Sequence, residues 1–190
     1  MSKDFTREED RDGDDELPSE LKVPAGSKNY MTPGGWRRLK AELHDLVTKQ
    51  RPELTQIINW AASNGDRSEN GDYIYGKKKL RETDKRIRFL TKRLENAEVV
   101  DPEAREATDQ VFFGATVTYL REDGSEETVS IVGIDETDLK RHYVSWTAPI
   151  ARALLRARDG DAVLLRLPGG TEEIEIVGVR YQALNTEYPS

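Results

Sequence analysis

Two long stretches of the chain repeat their apolar residues at intervals of three and four positions, on either side of a short polar segment. Such spacing places apolar side chains on one face of an α-helix. Because each stripe is narrow and the segment between them is short, we predict two helices that fold back as an antiparallel coiled-coil hairpin. The first stripe comprises Trp36, Leu39, Leu43, Leu46, Val47, Leu54, Ile57, Ile58 and Ala61. The second comprises Leu80, Thr83, Ile87, Leu90, Leu94 and Ala97.

Local signals mark the first helix. Thr32 is suited to the N-cap and Pro33 to the first helical position, where its missing N–H costs nothing. Pro52 is expected to kink the helix, because it removes one backbone hydrogen bond. We expect the helix to end near Ala62, before the turn signal Ser63-Asn64-Gly65.

The second helix is expected to begin between Ser68 and Asp72 and to run to about Ala97. The hairpin is therefore assigned to residues 30–101, with a tip loop at residues 64–72. A helix of about 28 residues is roughly 42 Å long. Two such helices alone leave most of their surface in water.

The hydrophobic period changes after residue 101. Alternating segments predict β-strands at residues 116–120, 128–134 and 143–146, and a last β-hairpin at residues 163–181. A short helix is expected at residues 149–156. These elements predict a compact second domain at residues 110–182, and the chain as a whole is assigned to the α+β class.

Residues 1–29 are acidic and contain few large apolar residues, so we expect a disordered tail that acts as a solubilising leader. An acidic arm that competes for a basic surface is the alternative. In the whole chain, 36% of residues are hydrophobic and 34% are charged, which argues against one large core. No apolar run is long enough to cross a bilayer, and the N-terminus lacks the apolar core of a signal peptide. We therefore expect a cytoplasmic protein without a membrane partner.

The chain has no cysteine and two histidines, His44 and His142. This composition excludes disulfides, thiolate metal sites, thiol nucleophiles and a metal centre built from several histidines. Any chemistry must use carboxylates, hydroxyls or cations.

The tip loop holds three carboxylates within seven positions: Asp66, Glu69 and Asp72. Mg²⁺ takes oxygen ligands and often uses only one or two protein carboxylates. Asp66 and Glu69, three positions apart in a tight turn, are the candidate ligands. A structural explanation stays open, because Ser68, Asn70 and Asp72 are also ordinary helix-capping residues.

Two carboxylates at the end of a rod have no pocket and too few ligands to hold a metal firmly. If the tip is catalytic, it should therefore complete the site of another macromolecule. Nine cations against two anions lie between Lys77 and Arg93, which is suited to phosphate contacts, although a solvated helix face is the alternative. These cations are Lys77, Lys78, Lys79, Arg81, Lys85, Arg86, Arg88, Lys92 and Arg93.

Several segments, taken in order, resemble the bacterial Gre transcript-cleavage factors, and in particular their GreB branch. The match includes Met31-Thr-Pro-Gly-Gly-Trp36, Trp60-Ala-Ala-Ser63, Gly65-Asp-Arg-Ser-Glu-Asn70, Val111-Phe-Phe-Gly-Ala115 and Ala151-Arg-Ala-Leu-Leu155. It extends from about residue 31 to about residue 181. The resemblance implies an FKBP-like second domain that docks on bacterial RNA polymerase. It also implies a coiled coil that passes down the secondary channel of the polymerase to a backtracked active site.

The resemblance also implies roles for individual residues. Asp66 and Glu69 would help to hold a second Mg²⁺ and the attacking water, and the polymerase itself would cleave the RNA. The chain would thus be an accessory factor and not an enzyme, working as a monomer on the nascent RNA 3′ end. Arg67, Ser68 and Asn70 would shape the loop, and the basic stretch would guide the extruded RNA. The implied RNA- and polymerase-binding set is Arg67, Ser68, Asn70, Lys77, Lys78, Lys79, Arg81, Lys85, Arg86, Arg88 and Pro149.

The chain departs from the family pattern in three places: the acidic tail before Met31, Gly71 in place of a small residue such as alanine, and Thr147-Ala148-Pro149 in place of Asp-Ser-Pro. Two other functions remain as alternatives. One is a Gre-like channel binder that inhibits transcription without stimulating cleavage. The other is a prolyl isomerase, which the FKBP-like domain suggests by fold alone.

Overall fold

The computed structural model describes residues 17–65 and 69–190. Its first part is a helical hairpin and its second part is a five-stranded sheet with one short helix, so the predicted α+β class is confirmed. The helices of the hairpin are α1 (Pro33–Asp45), a π-helical segment (Leu46–Gln50), α2 (Arg51–Ser63) and α3 (Gly71–Glu95).

The first helix begins as predicted. Thr32 is its N-cap, and the Thr32 hydroxyl accepts a hydrogen bond from the Gly35 N–H. Pro52 was expected to kink the helix. In the structure, the π-helical segment lies directly before it, and there the Arg51 N–H donates a hydrogen bond to the Leu46 carbonyl. Such a π turn lets the helix continue through a proline that cannot donate a hydrogen bond.

The seam of the hairpin is narrow. Leu39, Leu46, Leu90 and the residues packed against them form the apolar cluster at its base. Towards the tip, Ile58 packs against Gly76, and a Cβ added at Gly76 would lie 2.8 Å from Ile58 Cγ1. Val47 and Ile57 were predicted in the buried stripe but are exposed. Each of them is next to a buried residue, Leu46 beside Val47 and Ile58 beside Ile57. The seam between two helices covers only one residue of each such pair.

The sequence did not predict the two short parallel strands at the base of the hairpin. Strand β1 (Asn29–Met31) pairs with β2 (Ala97–Val99), with Tyr30 opposite Glu98. Because β2 begins at Ala97, α3 ends two residues earlier, at Glu95.

The expectation of a disordered tail up to residue 29 is wrong for residues 17–29. Ser19–Leu21 forms a 3₁₀ turn, and Arg93 donates a hydrogen bond to the Leu21 carbonyl. Asn96 Nδ2 donates to the Ser27 carbonyl over 2.9 Å. The acidic composition did not predict that Arg93 and Asn96, at the end of α3, bind this segment. The rest of the predicted tail, residues 1–16, lies outside the described residues.

The second part contains β3 (Thr116–Leu120), β4 (Glu126–Val132), β5 (Tyr143–Ser145), α4 (Pro149–Leu154), β6 (Ala162–Leu167) and β7 (Gly170–Arg180). The strand order is β5-β4-β3-β7-β6, with antiparallel pairs except for β4 and β5. Helix α4 packs on β6. The core is formed by apolar residues of the strands and of α4, among them Val117, Ile131, Leu154 and Ile176.

A buried carboxylate joins the two parts. Glu136, in the 3₁₀ turn Ile134–Glu136, is 5% exposed and accepts hydrogen bonds from Thr32 N–H (2.8 Å), Thr32 Oγ1 (2.6 Å) and Gly133 N–H (2.6 Å). The second domain thus supplies an anion to the N-terminus of α1, where the helix dipole favours it.

Residues 182–190 also connect the two parts. Arg38 Nε donates to the Thr186 carbonyl over 3.2 Å, and Arg37 forms an ion pair of 3.0 Å with Glu187. At the other end of the segment, Ser190 Oγ donates to Asp138 Oδ1 over 2.7 Å. The segment therefore spans from the hairpin to the turn before β5.

Candidate functional site

The tip of the hairpin is the candidate site, and Asn70 ties its two sides together. Asn70 Oδ1 accepts from the Tyr73 N–H over 3.1 Å, which makes Asn70 the N-cap of α3. Its Nδ2 donates to the Ala61 carbonyl in α2 over 2.6 Å. One side chain thus caps α3 and fixes the start of α3 against the end of α2. The interpretation of Asn70 as a capping residue is confirmed.

An open cleft lies on the side of the tip. The described residues that line it are Trp60, Ala61, Asn64, Gly65, Glu69, Asn70 and Asp72. Gly65 has φ +143°, which lets the chain reverse after α2. Glu69 is exposed, so its carboxylate is available to a partner. The predicted site residues Asp66, Arg67 and Ser68 lie outside the described residues.

The cleft brings two carboxylates, Glu69 and Asp72, to one surface. Their oxygens are of the type that Mg²⁺ accepts, so the donor chemistry fits this ion. Among residues 17–65 and 69–190, no group of three or more acidic or histidine side chains is arranged to hold a metal.

Basic residues follow on α3. The side chains that the sequence assigned to RNA and that are exposed here are Lys77, Lys78, Lys79, Arg81, Lys85, Arg86 and Arg88. Acidic side chains lie beside Lys79 and Arg86: Lys79 lies 3.6 Å from Glu82, and Arg86 Nε donates to Glu42 Oε1 over 2.6 Å. The hydrogen bond from Arg86 to Glu42 raises the pKa of the Arg86 guanidinium, so this cation is committed to the hairpin.

Arg93 does not belong to this basic surface. It is 5% exposed, and its Nε lies 3.3 Å from Asp135 Oδ2. Its guanidinium also packs over the ring of Phe89. The basic stretch that the resemblance assigned to RNA guidance therefore does not extend to Arg93, which is outside the implied binding set and joins the hairpin to the second domain.

Pro149 lies on a separate surface, at the first position of α4. It lines a shallow groove with Arg152, Ala153, Leu164 and Arg166, and Leu164 is half exposed. Of these residues, the sequence analysis assigned only Pro149 to polymerase binding. Leu164 and Arg166 are distant from Pro149 in the chain, and β6 brings them to the groove.

The departure at Thr147-Ala148 has a local structure. The Thr147 N–H donates to Ser145 Oγ over 3.1 Å, and Ala148 is the N-cap of α4 with no side-chain hydrogen bond. A hydroxyl at position 148 would be placed to cap α4, so its loss leaves the first turn of this short helix without that support.

In the described part of the chain, no helix has both the length and the apolar character that a membrane span requires.

Comparisons with known proteins cover both parts of the chain. The family model described as "Transcription elongation factor, N-terminal" matches residues 29–99, and that described as "Transcription elongation factor, GreA/GreB, C-term" matches residues 106–181.

Two relatives and one solved structure illustrate the similarity. The transcription elongation factor GreB of Neisseria meningitidis serogroup B is 66% identical over 155 residues, which is 82% of this chain and 95% of that protein. The GreB of Yersinia pestis is 44% identical, over 85% of this chain and 94% of that protein. The Gfh1 protein of Thermus thermophilus aligns over 81% of this chain and 99% of its own, with 22% identity and a TM-score of 0.38.

Proposed function

Because this chain belongs to the GreA/GreB family of transcription elongation factors, we propose that it binds bacterial RNA polymerase and stimulates the polymerase's own Mg²⁺-dependent cleavage of backtracked nascent RNA. On this proposal the chain acts in the cytoplasm as a monomeric accessory factor, and the polymerase supplies the catalytic chamber. The chain enters the polymerase through the secondary channel. Cleavage by the polymerase then leaves an RNA 3′ end in register with the active site.

The observation that supports the proposal most directly is the position of Glu69. It lies at the far end of a hairpin whose second helix, with 25 residues, is about 37 Å long. The helices are thin and their tip is exposed, so they are shaped to reach a site that a globular domain cannot enter. A carboxylate in that position contributes oxygen ligands to a centre that lies outside the chain.

When bound, Mg²⁺ would supply electrostatic stabilisation of the attacking and leaving oxygens. Glu69, with Asp66 as the second acid of the loop, would provide carboxylate oxygens at that point. Asn70 holds the loop end in place through Ala61 and Tyr73. The role of this chain is therefore to position acids, and the exposed cations of α3 bind the phosphates of the extruded RNA.

We assign polymerase docking to the groove at Pro149. Its apolar floor includes Leu164, and Arg152 and Arg166 lie in its lining. A groove of this kind accepts an apolar side chain flanked by acidic groups. Docking there would leave the hairpin free to extend away from the sheet.

The test is RNA cleavage in a defined backtracked complex made with purified polymerase. Glu69→Gln and Asp66→Asn should each lower the cleavage rate at least tenfold, while binding to the complex stays within about twofold. Glu53→Gln, which removes an exposed acid from α2, is the matched control and should cleave like the wild type.

Two results would contradict the proposal. If the wild type lengthens pauses and yields no short RNA product, the chain is a channel binder that inhibits. If all variants cleave at the wild-type rate, the tip acids are not part of the reaction. A peptide isomerisation assay on the protein alone tests the prolyl isomerase alternative.

A further inference from the structure

Trp60 is placed where the packing of the hairpin does not need it. It lies in α2, three residues before the end of the helix, and its side chain is 62% exposed. Its neighbours Ile58 and Ala61 fill the seam, and both are buried. A large indole that keeps most of its surface in water adds little to the stability of the hairpin. Its position therefore calls for a different explanation.

The same indole lines the cleft that contains Glu69. Trp60 contributes to its lining from α2, and Glu69, Asn70 and Asp72 contribute from the segment where α3 begins. The hydrogen bond from Asn70 Nδ2 to the Ala61 carbonyl, one residue after Trp60, fixes these two parts of the lining relative to each other. The aromatic surface and the Glu69 carboxylate are thus parts of one preformed surface.

The chemistry of the cleft favours a base and a sugar over a phosphate. An exposed aromatic face stacks with any nucleobase, since every base has a π-face. The carboxylates of Glu69 and Asp72 repel phosphate but accept hydrogen bonds from ribose hydroxyls. The cations that attract phosphate begin at Lys77, five residues after Asp72, or about 8 Å further along the helix. A single RNA strand meets both requirements, with a base in the cleft and its phosphates along α3.

We propose that Trp60 is a positioning residue: its indole stacks with the last base of the extruded single-stranded RNA and holds that nucleotide beside Glu69. This inference rests on the proposed function and adds to it a contact made by the base. It predicts that the tip binds RNA of any sequence, because stacking does not distinguish strongly between bases.

The first test measures stacking without cleavage. A backtracked complex carries 2-aminopurine as the last RNA base, and its fluorescence is read in EDTA, where no cleavage occurs. Wild-type protein and Trp60→Phe should quench the fluorescence, and Trp60→Leu should not. Tyr75→Leu is the matched control, because Tyr75 is 68% exposed and is not among the described residues that line the cleft. This control should quench like the wild type.

The second test measures cleavage after Mg²⁺ is added. At saturating protein, Trp60→Leu should lower the cleavage rate about tenfold, and Trp60→Phe should restore most of it. A purely structural role would instead lower the thermal stability of the free protein in both variants. Equal quenching by the wild type and Trp60→Leu would overturn the inference even if the wild type stimulates cleavage.

A protein occupant is the other outcome. If Trp60→Leu weakens binding to polymerase complexes that have no extruded RNA as strongly as it weakens binding to backtracked ones, the indole contacts the polymerase, and the inference is overturned. If the wild type quenches the fluorescence but does not stimulate cleavage, the proposed function fails while the stacking contact stands.

Discussion

At the scale of single residues, Glu136 and the glycines around it decide how the hairpin meets the second domain. A Cβ added at Gly35 would overlap Glu136 Oε1, so an alanine there must displace a carboxylate that holds three hydrogen bonds. Gly71, by contrast, has open space around its Cβ position and no positive φ. Gly35, in the first turn of α1, and Gly71, the first residue of α3, therefore differ in their tolerance of a side chain.

We expect Gly35→Ala to lower the free energy of unfolding by about 2 kcal/mol, since overpacking at a buried site costs in that range. Gly71→Ala is the control and should change it by less than about 1 kcal/mol, in the stabilising direction, because alanine orders more easily in a helix. Urea unfolding at neutral pH measures both. Equal stability of the two variants would contradict the role given to Gly35.

A second residue-scale prediction concerns pH. Burial raises the pKa of the Glu136 carboxyl above its ordinary 4.5, although hydrogen bonds from Thr32 and Gly133 oppose this. The folded state therefore binds a proton that the unfolded state has released, so this group contributes stability that is lost as pH rises above 4.5 and through the raised pKa. Asp135 also has a raised pKa through burial, opposed by Arg93 and Arg38, and acts in the same direction.

The measurement is the difference in unfolding free energy between the wild type and Glu136→Gln as a function of pH. The stability of the wild type relative to Glu136→Gln should be greatest at and below pH 4.5 and should decrease towards neutral pH. Asp123→Asn is a control of opposite sign, because hydrogen bonds from Ser125 lower the pKa of this exposed carboxyl, so the wild type should gain stability relative to this variant as pH rises. A difference that grows as pH rises would show that the hydrogen bonds, and not burial, dominate the pKa of Glu136.

At the scale of elements, the close approach of α2 and α3 depends on Gly76. Its Cβ position lies 2.8 Å from Ile58 Cγ1, and the ion pair between Arg51 and Asp84 at 2.8 Å adds a second link about two turns further from the tip. A glycine inside a helix costs about 1 kcal/mol relative to alanine, so its presence here reflects the packing.

This gives a double-mutant prediction. Gly76→Ala should destabilise the wild type, but the same change should stabilise a chain that already carries Ile58→Ala, because the obstructing Cγ1 is then absent. The coupling between the two sites should be about 1 kcal/mol or more in urea unfolding. Additive effects would show that the helices do not contact at this point.

The elements also show how far sequence patterns lead. The 3- and 4-residue spacing predicted both helices, and Thr32 predicted the start of α1, because these signals are local. The pairing of Asn29–Met31 with Ala97–Val99 is not local, and three-residue strands carry no periodicity. For the same reason the sequence did not anticipate the buried Arg93 or the groove that β6 completes. At the tip, the sequence predicted the capping role of Asn70 and named Glu69 as a candidate ligand, but it gave Trp60 no role of its own. The cleft that Trp60 shares with Glu69 forms only when α2 and α3 are placed together.

At the scale of the whole molecule, residues 182–190 connect the hairpin to the sheet domain beyond the end of the family match at residue 181. Thr186 contacts Thr32 and its carbonyl accepts from Arg38, while Arg141 donates to the Asn185 carbonyl. The segment therefore contacts both the start of α1 and the turn before β5, and we expect it to restrain the hairpin relative to the sheet.

Deleting residues 184–190 should raise amide hydrogen exchange in residues 32–38 and 133–141 by at least tenfold, while exchange at residues 76–90 stays unchanged. The physical reason is that the deletion removes the contacts across the junction and leaves the seam of the hairpin intact. Arg180→Ala, which removes an exposed side chain that donates a hydrogen bond to Gln182 two residues away, is the control. Unchanged exchange at the junction would contradict the restraining role.

The central claim is that carboxylates at the tip of the hairpin contribute to a shared Mg²⁺ inside the polymerase. The most direct measurement is the Mg²⁺ concentration that gives half-maximal cleavage of backtracked RNA, determined without the protein, with the wild type and with Glu69→Gln. We predict that the wild type lowers this concentration at least tenfold and that Glu69→Gln moves it most of the way back to the value without the protein. An identical Mg²⁺ dependence in all three reactions would contradict the claim.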